Sequence, residues 1–338
     1  MAPQVLQGRE KAVTCGVTPG ERRRECRGRS VWSQLMNPPD VRYALAAMLN
    51  PALGRVSERA ERGQTLKAWG LKPHRPDPGT PMAKDDADGY YEKIPEGLSG
   101  TVMYPIMNAI DAIASTRALV VQAKADAPFN HHPAAFLSLC RTAVECSAQA
   151  IWIMSSEDRD ARRKRAAGLA KVGIEHAREW HGETQNAHDN GLRTMSDEAY
   201  AQNKHRFEFH TKELEVLETL EPANARQYSE MVRKAANWIA ANPPKHTSDV
   251  AGVHYQTVSK LGYRVCSSFT HGHAWPIHLL GNPMESFGMM ADSINLALIN
   301  TECALSLYEA QSTDPNGSRT NYYPERLQVT IDDWRTRY

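Results

Sequence analysis

The chain has 338 residues, 41% of them hydrophobic and 23% charged, with 40 Lys and Arg against 39 Asp and Glu for a net charge of +1. That balance is ordinary for a globular protein, and the length suits one large domain or two smaller ones with a real core. No stretch approaches 18 consecutive apolar residues and no apolar run follows the early charges, so neither a transmembrane helix nor a secretory signal is expected.

The charge is unevenly spread. Residues 1–80 carry 14 Lys and Arg against 7 Asp and Glu, and the remainder carries 26 against 32. A basic arm on a mildly acidic body could touch nucleic acid, but it reads first as a solvated, disordered extension. Residues 1–39 contain Gly, Pro and the arginine run Glu21 to Arg29 with no apolar periodicity, and read as disordered. A short helix is expected over 41–49 behind Asp40, with a weaker one after Pro51. Pro73, Pro76, Pro78, Pro81 and Pro95, mixed with Asp, make 71–95 a linker by composition. Met82 opens a stretch of different character and is an alternative start.

Seven main helices are expected from there on. The first spans Leu98 to Ala125. The second, from Pro133 to Met154, is apolar almost all round, as a central helix is. The third (Ser156 to Ala187) and the fourth (Ser196 to Leu220) are charged. The fifth runs from Asn224 to Ala240, the sixth from Tyr255 to Thr270 and the seventh from Met284 to Gln311. Arg326 to Trp334 alternates like a strand in an extended tail. The expected fold is therefore all-α: a basic extension and linker over 1–95, one helical bundle over 96–311 and a short tail over 312–338.

Chemistry concentrates in two places. In the second helix Arg141 and Glu145 are one turn apart within an apolar surface, close enough to pair. A buried charge needs a partner, so the pair either fixes helix register or lines a polar pocket. The second place is Tyr263 to Trp275, YRVCSSFTHGHAW. Arg264 and His271 are separated by about two helical turns, with Ser267, Ser268 and Thr270 between them. Gly272 can stop the helix, and His273 completes an HxH. An arginine fork matches phosphate oxygens and a histidine exchanges protons near neutral pH, so an Arg and a His at one phosphodiester would suffice to cleave RNA. Two alternatives stay open here. One is a helix end with hydrogen-bonded histidines; the other is a zinc or iron site using His271, His273 and Glu145.

The spacing Arg264-x6-His271, late in an all-helical chain, resembles the R-x4-6-H motif of the HEPN superfamily. That resemblance implies a metal-independent ribonuclease of a defence or toxin system, built across a homodimer, with Arg264 and His271 as its functional pair. Arg141, Glu145, Ser267, Ser268 and His273 would form a supporting polar pocket, and neither metal nor other cofactor is implied. Val265 stands where that family often carries a polar residue, and the body is longer than a minimal HEPN domain. RTAVE followed by a tryptophan, with the later Y-R-x-x-S-x-x-x-H-G, also looks like uncharacterised actinobacterial and phage helical proteins, a likeness that implies no activity.

Other features point to no site. His176 with His181, and His205 with His210, lie five residues apart on charged helices, poor spacing for joint ligation. GxGxxG, Walker A and GxSxG motifs are all missing. Six cysteines, at 15, 26, 140, 146, 266 and 303, form no CxxC pair and suit reduced thiols in the cytoplasm. The expected partners are RNA and a second copy of the chain. A non-enzymatic helical module that binds a partner protein through the third and fourth helices is the competing reading.

Overall fold

The computed structural model describes residues 39–72, 74–119, 132–225, 227–279 and 283–338. They divide into two compact units, 1–47 and 48–338. Of the first unit only the start of a helix is described, and the arginine run at 21–29 lies outside the described residues. The packing below belongs to the second unit.

The described residues form helices joined by turns, with no strand among them. The elements are α1 (Pro39–Gln64), α2 (Lys67–Gly70), α3 (Pro81–Asp86), α4 (Tyr90–Lys93), α5 (Gly97–Leu119), α6 (Pro133–Met154) and α7 (Arg159–Asp189). They continue with α8 (Asp197–Glu218), α9 (Tyr228–Ala241), α10 (Tyr255–Thr270), α11 (Pro283–Ser312) and α12 (Gln328–Arg335). The seven long helices expected from periodicity are α5 to α11. Two of them, α6 and α10, keep their expected ends, and the expected extension of the first through Ala125 falls partly outside the described residues.

Helix α6 is the centre. It packs against α5, α9, α10 and α11, and Phe136, Leu137, Cys140, Val144, Ile151 and Ile153 are fully buried. An apolar surface all round is what such a position demands. Helix α11 lies beside it, buried through Ile294, Leu298, Cys303, Leu307 and Tyr308. Helices α7 and α8 pair as a long antiparallel hairpin. At its base Gly168 lets the chain come close: a Cβ there would stand 1.9 Å from the Ala223 carbonyl oxygen.

Three expectations are corrected. The packed core does not begin near residue 95, because Ala52, Val56, Leu66, Trp69, Met82, Tyr90 and Ile94 are all buried in it. The cause is electrostatic as much as apolar. Helix α11 carries two buried carboxylates, Glu302 and Glu309, and their partners come from the segments expected to lie outside. Arg62 donates through Nε to Glu302 Oε1 at 2.8 Å and through Nη2 to Oε2. His246 Nε2 lies 3.0 Å from Oε2, and Arg326 Nη2 donates to Oε1 at 2.5 Å. Glu309 accepts from Trp69 Nε1 at 2.5 Å and from Thr313, and lies 2.9 Å from His74 Nε2.

The supposed linker is also built. Asp85 and Asp86, which read as linker composition, are buried, and Asp85 takes a two-pronged bond from Arg162 at 2.6 and 2.8 Å. Asp86 Oδ1 accepts from the Leu98 and Ser99 amides, capping the start of α5. Gly97 makes room for that cap, at φ +65 and with a Cβ position only 2.5 Å from Asp86 Oδ1.

The C-terminal segment is not an extended strand. Leu327, Ile331 and Trp334 are buried at helical spacing, while Val329, which made the alternating pattern, is 49% exposed. Thr330 accepts the Lys245 and His246 amides, locking α12 against the turn that presents His246 to Glu302.

Burial would raise the Glu302 pKa, but hydrogen bonds from His246 and Arg62 and the charges of Arg62 and Arg326 hold it at about 2, against an ordinary 4.5. A depressed carboxylate pKa stabilises the fold above the ordinary value and is lost as pH falls toward the folded value, here worth on the order of 3 kcal/mol. Wild-type stability in denaturant titrations should therefore drop between about pH 4.5 and about pH 2. Glu302→Gln should be less stable at neutral pH by several kcal/mol, because it leaves two arginines without their partner, and the gap should narrow with acid. A gap independent of pH would refute this account. A chain begun at Met82 loses Arg62, Trp69 and His74 together, and its thermal unfolding should shift by many degrees or lose cooperativity; an unchanged transition would show that the N-terminal packing contributes nothing.

Candidate functional site

Helices α6 and α10 pack against each other, and their polar residues meet at one edge of the contact. Arg141 Nε donates to Glu145 Oε1 at 2.9 Å along α6. Tyr263 on α10 donates its hydroxyl to the same oxygen at 2.7 Å. The other end of Arg141 reaches the end of α10, where Nη1 lies 2.9 Å from His271 Nε2. Thr270 Oγ1 bridges back to Ser138 Oγ on α6 at 3.1 Å.

Local sequence explains why His271 sits there. It caps α10, and Gly272 follows at φ +66. The Gly272 amide donates to the Phe269 carbonyl at 3.3 Å and the His273 amide to that of Ser268 at 2.9 Å, the bond pair of a glycine-terminated helix. Ser268 is buried and its hydroxyl accepts from Trp275 Nε1 at 2.9 Å, which pins the following turn. Ser267 contributes its carbonyl, which accepts the His271 amide. The rings of His271 and His273 lie 5.9 Å apart, both residues exposed.

The pair on α6 is half-buried rather than sealed: the side chains of Arg141 and Glu145 are 16% and 15% exposed. Desolvation disfavours the Arg141 charge, but attraction and hydrogen bonding to Glu145 outweigh it and raise its pKa. Burial, followed by the bond and charge of Glu145, pushes the Tyr263 phenol up to about 12, so it remains a donor across the neutral range. Because a guanidinium only donates, the contact makes His271 Nε2 the acceptor and leaves the ring proton on Nδ1.

Arg264 does not join this group. It is exposed and lines a cleft between α9 and α10. Two helical turns would align Arg264 with His271 on a continuous helix, but His271 has left helical geometry at φ -91 and ψ 4. The arginine beside His271 is therefore Arg141, from another helix. Tyr263 had no assigned part in the sequence reading; only its place on the α10 face toward α6 marks it.

Among the described residues no three His, Cys, Asp or Glu side chains cluster as metal ligands. Glu145 and His271, candidates for such a set, both face the Arg141 guanidinium. Away from this site, His176 is exposed near Glu179, while His181 and His210 stack across the α7–α8 hairpin at 5.6 Å. Among the described residues no helix is long and apolar enough to cross a membrane. Compared with known proteins, the chain matches no family model, no curated protein and no solved structure.

Tyr263→Phe removes one donor from Glu145 and keeps the ring. It should cost about 1 kcal/mol in chemical denaturation while leaving helicity unchanged. It should also cost nothing further in an Arg141→Ala, Glu145→Ala background; an equal loss there would mean the hydroxyl acts elsewhere.

Proposed function

We propose that the chain is a metal-independent endoribonuclease of HEPN-like character, acting in defence or as a toxin. Its reacting groups are His271 and His273, with Arg141 as the cation at the phosphate. The observation that carries this reading is the 2.9 Å approach of Arg141 Nη1 to His271 Nε2 at an exposed helix end. Arg141 is oriented by Glu145, which Tyr263 holds in turn.

In this reading the substrate phosphate takes over the Arg141 Nη1 donor and frees the Nε2 lone pair of His271. That nitrogen accepts the proton of the ribose 2′-hydroxyl, and the 2′-oxygen attacks the adjacent phosphorus. The bond from phosphorus to the 5′-oxygen breaks, and protonated His273 delivers a proton to that oxygen. The products are a 2′,3′-cyclic phosphate and a 5′-hydroxyl. Arg141 balances the charge that grows on the phosphoryl oxygens. Arg264, remote from the reacting pair, serves substrate binding.

The active form is taken to be a homodimer, as the HEPN resemblance implies. Val258 and Leu261, 45% and 58% exposed on α10, offer a second copy apolar side chains on that helix. A cytoplasmic setting accords with the free cysteines among the described residues, Cys140, Cys146, Cys266 and Cys303.

Purified protein in excess chelator should cut single-stranded RNA and leave cyclic-phosphate ends, and light scattering should report two copies per particle. His271→Ala and Arg141→Ala should each lower the rate about 100-fold or more with unchanged helicity. No cleavage by the wild type under these conditions, or full activity in His271→Ala, would overturn the proposal.

A further inference from the structure

The cleft beside Arg264 has features that the reacting groups do not use. It lies between α9 and α10 and encloses about 570 Å³, within the range of small-ligand sites. Lys260 and Arg264, one turn apart on α10, stand exposed on its wall. Among the described residues neither side chain has an ion pair or hydrogen bond. The cleft's carboxylate, Glu230, is already taken: Arg233 donates to it twice, at 2.9 and 2.5 Å, and Lys234 lies 3.6 Å away. Two positive charges therefore face the opening with nothing opposite them.

The floor adds an independent signal. Ser259 is 1% exposed and lines the cleft, and its hydroxyl has no hydrogen-bond partner. A buried unpaired hydroxyl costs free energy, and a polar ligand atom is one way to satisfy it. Val232 and Ala236 give an apolar surface, and the Tyr263 ring borders it. Asn237 and Gln256 bring side-chain amides, each pairing a donor with an acceptor.

We propose that this cleft binds a nucleoside monophosphate unit, with its phosphate on Lys260 and Arg264 and its base over the apolar floor. Two uncompensated cations select a phosphate. The apolar floor beside a tyrosine suits the face of a base, and the amides suit its hydrogen-bonding edge. Inorganic phosphate alone would leave the floor unused. The unit has two sources, a free mononucleotide or one nucleotide of an RNA strand. Tyr263 borders the cleft and also holds Glu145, so a strand seated here would run toward Arg141 and His271. Occupancy of the cleft is a matter of binding and stands apart from cleavage.

The test is calorimetric titration of the full-length protein with adenosine monophosphate, inorganic phosphate and an uncleavable ten-nucleotide 2′-O-methyl RNA. The mononucleotide should bind at least about tenfold more tightly than inorganic phosphate, a difference of about 1.4 kcal/mol. The Lys260→Ala, Arg264→Ala double variant should lose at least about tenfold in affinity for the mononucleotide, and Ser259→Ala should lose a measurable part of it. His271→Ala should bind the mononucleotide as the wild type does, which separates this site from the reacting groups. An oligomer that binds much more tightly than the mononucleotide, and loses affinity in the double variant with a salt slope reduced by about 1.4, identifies the strand as the source. Equal affinities identify the free nucleotide. No binding of either nucleotide probe, or binding untouched by the double variant with helicity intact, overturns the inference.

Discussion

Glu302 and Glu309 lie two turns apart on the buried face of α11, and neither can remain charged there without partners. Satisfying them draws in residues distant in sequence: Arg62, Trp69 and His74 from one side, and His246, Arg319 and Arg326 from the other. A buried ion pair adds little stability over an apolar replacement, but a carboxylate stripped of its cation is strongly destabilising. The two glutamates thus fix where the flanking segments must sit: Arg62 of α1, Trp69 of α2 and Arg326 just before α12 are bonded to α11, and Leu66, Trp69, Ile331 and Trp334 are buried beside them. Helix α6 supplies the apolar centre, and α11 ties its surroundings together.

The long helices were legible in sequence because their signals are local. Pro133 at the first turn marks the start of α6 and Gly272 lies just beyond the end of α10, and both helices keep their expected bounds. The extent of the core was not legible, because its determinants lie far apart. Nothing near Arg62 announces a glutamate 240 residues away. Asp85 and Asp86 look like linker composition until Arg162 and the α5 amides are beside them. The tail misled for a simpler reason. Leu327, Val329 and Ile331 alternate as a strand would, while Leu327, Ile331 and Trp334 repeat as a helix, and a short segment supports both patterns until packing selects one.

The polar group was legible in part. Arg141 and Glu145 were expected to pair from their spacing alone, and they do. His271 stood out as a histidine at a helix end, and it meets Arg141 through the packing of α6 on α10. What spacing could not convey was the partner. The match Arg264-x6-His271 assumes one continuous helix, whereas His271 already has cap geometry and Arg264 turns to the α9 side. Tyr263 carries no motif of its own; its importance comes from being the α10 residue that reaches Glu145.

Two clusters in this protein share the same parts, a glutamate with arginine and histidine, yet differ in what they are able to do. At Glu302 both carboxylate oxygens are engaged, by Arg62, Arg326 and His246, and the glutamate and histidine side chains are wholly buried. Such a group is saturated, and any exchange of partners would expose a charge to an apolar interior. At Glu145 both bonds fall on Oε1, the arginine is partly open to solvent and the histidine is exposed. There Arg141 has one exposed neighbour, His271, while Glu145 and Tyr263 keep the guanidinium oriented. Burial and saturation thus assign the first cluster to holding the fold, whereas exposure and a spare oxygen leave the second free to exchange a partner.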